Sequence, residues 1–139
     1  MKSLETKLCV KYDCPEYTFA QSYSTQNAMA WSDGNNTAIR YNPNFMNMVF
    51  HRFGVNSSVG IFAHELGHII DFHSGESFTR YELERRADEY AGCSIALFGN
   101  PESSITPIAS TLLTMPSSSQ YPSPSERVKA VLDGYESCK

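Results

Sequence analysis

His64-Glu65-Leu66-Gly67-His68 is the stretch from which the rest of this chain is read. A helix turns about 100° per residue, so side chains at i and i+4 stack on one face, one turn apart. His64 and His68 then present two imidazole nitrogens to one ion, with Glu65 beside them. Zn²⁺ in that position would bring the pKa of a bound water towards neutrality, and a carboxylate would accept its proton as the water attacks a carbonyl. The pattern therefore predicts a helix through 64–68, with His64 and His68 as metal ligands and Glu65 as the general base. The competing reading is an amphipathic helix carrying two incidental histidines.

Catalytic zinc keeps three protein ligands and one open position, so a third ligand must come from elsewhere in the chain. A metzincin would need Gly at position 71 and His or Asp at 74, where this chain has Asp71 and Ser74. An aspzincin would carry a GTxxD run downstream, and the sequence has none. A gluzincin needs a Glu on a second helix, usually with an Asp four residues later. The segment Tyr81-Glu82-Leu83-Glu84-Arg85-Arg86-Ala87-Asp88-Glu89-Tyr90-Ala91 supplies both.

In that segment Glu84 and Asp88 share a helix face, flanked by Ala87 and Ala91, whose small side chains allow a close helix–helix approach. Glu84 is the predicted third ligand. Asp88 is predicted to accept the free ring N–H of a ligand histidine, which fixes its tautomer and raises its basicity. Read in isolation, the segment would be an exposed helix whose acids face its arginines; the upstream HExxH run reverses that preference. Glu82 and Glu89 compete as ligands, but Glu82 is better explained as a helix cap and neither has an Asp at i+4. Asp71 and His73 follow His68 closely and are weaker alternatives, expected to point away from the metal.

His64-Glu65-Leu66-Gly67-His68 followed by Glu84-x-x-Ala87-Asp88 resembles the HExxH…ExxAD signature of the HtpX/CAAX-prenyl-protease-like metallopeptidases. Ile39-Arg40-Tyr41-Asn42-Pro43 is similar to the strand-to-helix entry of that family, and Tyr121-Pro122-Ser123-Pro124-Ser125-Glu126-Arg127-Val128 to its late HP…RI motif. The resemblance covers positions 39 to 128, in the family's order. It implies a zinc peptidase acting on a peptide or protein substrate. Two features depart from the pattern: Tyr121 stands where the family usually has His, and the membrane-spanning helices of its best-known members are missing. A phenol at 121 could serve as a neutral donor to an oxyanion, and Arg127 could pair with an active-site carboxylate or pin the last helix. For both residues, packing or a surface salt bridge is the alternative. HELGH with ExxAD also resembles the ImmA-like peptidases, which act on regulatory proteins; the Tyr-Asn-Pro and Tyr-Pro…Glu-Arg pieces speak against that group.

A chain of 139 residues is read as one domain, 1–139. Its net charge of −4 disfavours nucleic acid and anionic membranes as electrostatic partners. No apolar stretch approaches the roughly eighteen residues of a membrane span, and the N-terminus lacks the apolar segment of a signal peptide. The expectation is a soluble protein, cytosolic or exported with its leader removed, with a regulatory or activating partner left open. Cys9, Cys14, Cys93 and Cys138 allow two disulfides in three connectivities, or four reduced thiols. Cys9 and Cys14 make a poor zinc pair without a second cysteine pair nearby; an N-terminal cysteine covering the metal in a latent form is a further alternative.

Caps and turn residues outline the elements. In residues 1–25 Leu8, Val10 and Tyr12 alternate like a strand that ends at Cys14-Pro15. Asn27–Trp31 and Thr37–Tyr41 read as two strands around the turn 32–36. Asn42-Pro43 opens a helix towards Phe53. Ser57 or Ser58 is expected to cap the zinc helix, which stops near Gly75. Thr79-x-x-Glu82 is a capping box for the next helix, which ends before Gly99-Asn100-Pro101. A weaker helix is expected over 103–115, a loop over 116–125, and a last helix, capped by Ser123-x-x-Glu126, over 124–132. These elements predict an α+β, zincin-like fold with a small twisted sheet packed on the HExxH helix. One strand, preferably Asn27–Trp31, would be an edge that pairs with an extended substrate. Trp31, the single tryptophan, is read as core packing.

Overall fold

A computed structural model describes residues 2–114 and 122–139. The described residues form a mixed α+β architecture of six α-helices and a three-stranded sheet. The order is α1 (Lys2–Lys11), β1 (Thr18–Gln21), β2 (Ala28–Ser32), β3 (Thr37–Tyr41), α2 (Pro43–Phe53), α3 (Val55–Ser74), α4 (Arg80–Leu97), α5 (Ile105–Leu113) and α6 (Pro124–Cys138), with a 3-10 turn at Glu102–Ser104 before α5. No helix among the described residues is long and apolar enough to cross a membrane.

The helix carrying the HExxH run is the centre of the molecule. Twelve of the twenty residues of α3 are buried, so it is covered on nearly every side. Ile61 packs with Val49, Ile108, Leu112 and Val131 in one apolar cluster. Leu66 and Ile69 pack with Leu4, Leu8 and Ile39 in the other. Each such side chain contributes about 1.5–3 kcal/mol through burial, which fixes the rotation of α3 and so the direction of its histidines.

The sheet order is β1-β3-β2. The β2–β3 hairpin is antiparallel and β1 joins β3 in parallel. One face of the sheet lies on α3, where Phe19 and Tyr41 meet Phe62. β2 is an edge, as expected for the segment 27–31.

Several expectations about local structure are corrected. Residues 2–11 form a helix, not a strand, because Leu4 and Leu8, at i and i+4, are the positions buried, while Val10 is 84% exposed. β1 was missed, since its pairing with β3 is non-local. Neither Ser57 nor Ser58 caps α3: the helix starts at Val55, directly after Gly54, whose φ of 95° breaks it from α2. α6 runs on to Cys138 because Gly134 is a packing contact and not a stop; a Cβ there would sit 1.9 Å from the Glu89 carbonyl oxygen on α4. The helix expected over 103–115 is split into the 3-10 turn and α5. Trp31 is not in the core; it lies partly exposed on the outer face of the sheet, under the Arg40 guanidinium at 4.6 Å. The loop expected over 116–125 falls mostly outside the described residues.

All four cysteines are paired, Cys9–Cys14 and Cys93–Cys138. The pairing leaves neither Cys9 nor Cys14 as a thiol that could cover the His64/His68/Glu84 group.

Candidate metal centre

The site is built where α3 and α4 touch. Gly67 lets α4 come close, since a Cβ there would lie 2.3 Å from the Tyr90 ring. Ala87 and Ala91 are fully buried in the same contact. The approach brings a short carboxylate to two imidazoles. Glu84 Oε2 lies 2.9 Å from His68 Nε2, and Oε1 lies 3.5 Å from His64 Nε2. The two rings stand nearly perpendicular, 4.9 Å between centroids. His64, His68 and Glu84 are all buried, with ligand atoms within 4.8 Å of one another.

This group could hold a metal ion. Ligands at about 2.0–2.1 Å from a tetrahedral ion are about 3.3 Å apart, and the two nitrogen–oxygen separations bracket that figure. Two imidazoles and one carboxylate form a nitrogen–oxygen donor set typical of a divalent transition metal.

Behind the ligands stands a second row of buried polar groups. His64 Nδ1 meets Asp88 Oδ1 at 2.9 Å, so the other ring nitrogen faces Glu84. Arg127, only 4% exposed, holds Asp88 through Nε at 2.8 Å and Nη2 at 3.0 Å, and donates from Nη1 to the Leu112 carbonyl. Arg127 thus pairs with the carboxylate that meets His64 and ties α6 to the end of α5. His68 Nδ1, in contrast, is buried without a hydrogen-bond partner among the described residues.

The electrostatics follow from this packing. Burial works to raise the Asp88 pKa, but contacts with His64 and Arg127 outweigh it and hold the carboxyl below its usual range. Glu84 is lowered in the same way, with both imidazoles outweighing its burial. Burial pulls the His64 pKa down, yet Asp88 and Glu84 lift it to about 10. A proton and a metal cation therefore compete for the same imidazole nitrogen. Glu65 is raised by burial, opposed by His64, His68 and the hydrogen bond from the Ala30 N–H. A carboxylate so raised is a stronger base than one in water.

The ligands open onto a cleft of about 560 Å³. One wall is the segment 27–30 of the β2 edge; the other carries Phe72 and Leu83. Backbone bonds from Asn42 N–H to the Asn27 carbonyl and from Asp33 N–H to the Asn36 carbonyl set the hairpin register. In an antiparallel ladder the residues alternate, so Asn27, Met29 and Trp31 bond to β3 while Ala28 and Ala30 turn their backbone groups outward. The outward N–H of Ala30 reaches Glu65. Edge strand and candidate base are thus in direct contact.

No protein-family model, curated protein or solved structure matches this chain.

The remaining sequence candidates fall elsewhere. Asp71 is 1% exposed but faces away from the centre, bound by Arg86 through two contacts of 2.9 Å and by the Tyr90 hydroxyl. His73 pairs with Asp13 at 3.3 Å on the surface. Glu82 closes the capping box with Thr79, as its spacing implied. Glu89 pairs with Arg85 at 2.7 Å. Tyr121 lies outside the described residues. Sequence reasoning missed Phe72, whose ring stacks on His68 at 6.1 Å, and Arg80, which also lines the cleft. The signal was available for both. Phe72 follows His68 by four residues and Arg80 precedes Glu84 by four, so each shares a helix face with a ligand.

Proposed function

We propose that this protein is a zinc-dependent endopeptidase of the gluzincin type, with His64, His68 and Glu84 as its metal ligands. The observation that carries the reading is the convergence of those three groups beside Glu65, at the foot of an edge strand. The HtpX/CAAX-prenyl-protease-like resemblance of the motifs supports it. Zinc held there would supply Lewis acidity, acidifying water and polarising the scissile carbonyl.

The chain's own groups do the rest. An extended substrate adds to the outward backbone groups of Ala28 and to the Ala30 carbonyl, which aligns its scissile bond with the centre. Glu65 takes a proton on a carboxylate oxygen from the attacking water and delivers it to the leaving amine nitrogen. The Ala30 N–H holds that carboxylate in place. Asp88, backed by Arg127, keeps the His64 proton on Nδ1 and leaves Nε2 free to ligate. Tyr121 is the proposed donor to the oxyanion. The two disulfides indicate an oxidising working compartment.

Metal analysis of the purified protein combined with a chelator-sensitive digest of a peptide library tests the reading. Zinc at one equivalent and cleavage abolished by chelator are expected. Glu65→Gln should retain the metal and lose hydrolysis by at least about a hundredfold, the lower range for a positioned acid–base group. Undiminished turnover in metal-replete Glu65→Gln protein would remove Glu65 from the mechanism. Stoichiometric zinc with cleavage of one protein target alone would indicate an ImmA-like selective protease. Zinc with no cleavage at all would indicate a binding protein.

A further inference from the structure

The register of the hairpin also fixes what lies on the far side of the edge strand. Ala30 pairs with Ile39 and faces α3, so Met29 and Trp31, with their partners Arg40 and Ala38, occupy the opposite, outer face. Arg40 does not extend outward into solvent from that face. Its guanidinium carbon lies 4.6 Å from the centre of the Trp31 ring of β2, so its charge is held against a side chain of the edge strand. Among the described residues no carboxylate forms an ion pair with it. A guanidinium stacked on an indole is attracted to the ring face and keeps its in-plane N–H donors available. The same residue lines the rim of the metal cleft.

From this geometry we propose that the preferred substrate carries an acidic side chain, and that Arg40, seated on Trp31, is the residue that reads it. The inference rests on the peptidase reading above. A strand added to β2 lies about 4.8 Å beyond it and about 10 Å from β3, and every second side chain of that strand falls on the outer face. Arg40, extended, is long enough to cover the first of those spacings, and it lines the cleft together with Met29 of β2. A Glu or Asp side chain on the added strand covers the second. On this face Met29, 41% exposed, and Trp31 are uncharged, and Glu5 and Glu16 line the further cavity that Arg40 shares with Thr18 and Ala20 of β1, so the positive charge beside the β2 edge is that of Arg40. The cleft lining also includes the carboxylates Glu65 and Glu84, whose charge bound zinc would offset, so Arg40 acts on an acidic side chain at ion-pair range.

The test uses the metal-replete full chain and a cleaved parent peptide in which Glu, Gln or Lys is placed at each position in turn. At one position next to a residue that faces the zinc helix, the wild-type protein should cleave the Glu peptide roughly three- to tenfold faster than the Lys peptide in kcat/KM, with the gap narrowing at high salt. Arg40→Gln should level the Glu and Lys peptides, with metal content and thermal unfolding unchanged. Arg40→Glu should invert the order in favour of Lys, which loss of packing alone would not produce. Equal cleavage of the Glu and Lys series by the wild type, or a preference that survives both substitutions, would overturn the assignment of Arg40 while leaving the peptidase reading intact. A zinc-loaded wild type that cuts none of the library would overturn both.

Discussion

Asp88 ties the candidate ligands to the C-terminal helix, because one carboxylate serves both His64 and the buried Arg127. Replacing it by Asn preserves the shape and an oxygen that accepts from His64, but leaves a buried guanidinium without its counter-charge. Breaking such a pair from one side costs about 3–5 kcal/mol, and loss of a ligand-orienting carboxylate lowers metal affinity roughly 10–100-fold. Asp88→Asn should therefore show both losses, in urea unfolding and in a competition titration with a chromophoric chelator. The double variant Asp88→Asn with Arg127→Met should recover part of the stability but none of the affinity. If Asp88→Asn matched wild type in both measurements, the relay would have no energetic content. The identities of these side chains were readable from sequence because a helix converts i,i+4 spacing directly into a shared face. That holds for His64 with His68 and for Glu84 with Asp88. The position of Arg40 over Trp31 was not readable, since it depends on which strand of the hairpin lies at the edge and on which face the sheet presents to α3. Trp31 was assigned to the core for the same reason.

Helix ends were legible where one side chain closes them locally. Asn42 accepts from the backbone N–H of Asn44 and Phe45, and both capping boxes, Thr79 with Glu82 and Ser123 with Glu126, form as their spacing required. The elements that escaped are those decided by remote partners: α1 by the pocket that receives Leu4 and Leu8, β1 by β3, and the length of α6 by α4. Gly92 and Gly134 place α4 and α6 in backbone contact, with a Cβ on Gly92 only 1.8 Å from the Val131 carbonyl oxygen. Neither backbone can yield as a flexible side chain would. Gly134→Ala should cost about 3 kcal/mol, at or beyond the upper end of ordinary overpacking; a neutral result in chemical unfolding would mean that the helices do not meet at this distance. The caps carry a pH signature. The Thr79 backbone N–H and hydroxyl side, through the capping box, hold the pKa of Glu82 below its usual 4.5. A group lowered on folding contributes stability that is present above about pH 4.5 and lost as pH falls through the folded value. Glu82→Gln keeps the neutral cap but cannot titrate, so its melting temperature should fall less steeply than that of wild type below about pH 4.5. Parallel curves for the two proteins would remove Glu82 from the acid limb.

Two cross-links act on the molecule as a whole, and they tie down different helices. The metal would join α3 to α4, whereas Cys93–Cys138 joins α4 to the end of α6 across 45 residues of chain. Closing a loop of that size removes up to about 4 kcal/mol of unfolded-state entropy, against about 2 kcal/mol for the short Cys9–Cys14 loop. Replacing Cys93 and Cys138 together by Ser should thus cost roughly 2–4 kcal/mol, more than replacing the other pair. The effect on the metal should be small. Arg127 sits in the first turns of α6, eleven residues before Cys138 and about 16 Å away along the axis at 1.5 Å per residue. It is fixed there by Asp88 and the Leu112 carbonyl, without help from the disulfide. Sites so separated add within about 0.5 kcal/mol. The loss of stability on adding chelator should therefore be the same in wild type and in the Cys93/Cys138 double serine variant, read from melting curves at matched zinc. A much smaller chelator effect in the variant would mean that the far end of α6 must be anchored before Arg127 can orient the ligands, and would make the disulfide part of the metal site's support.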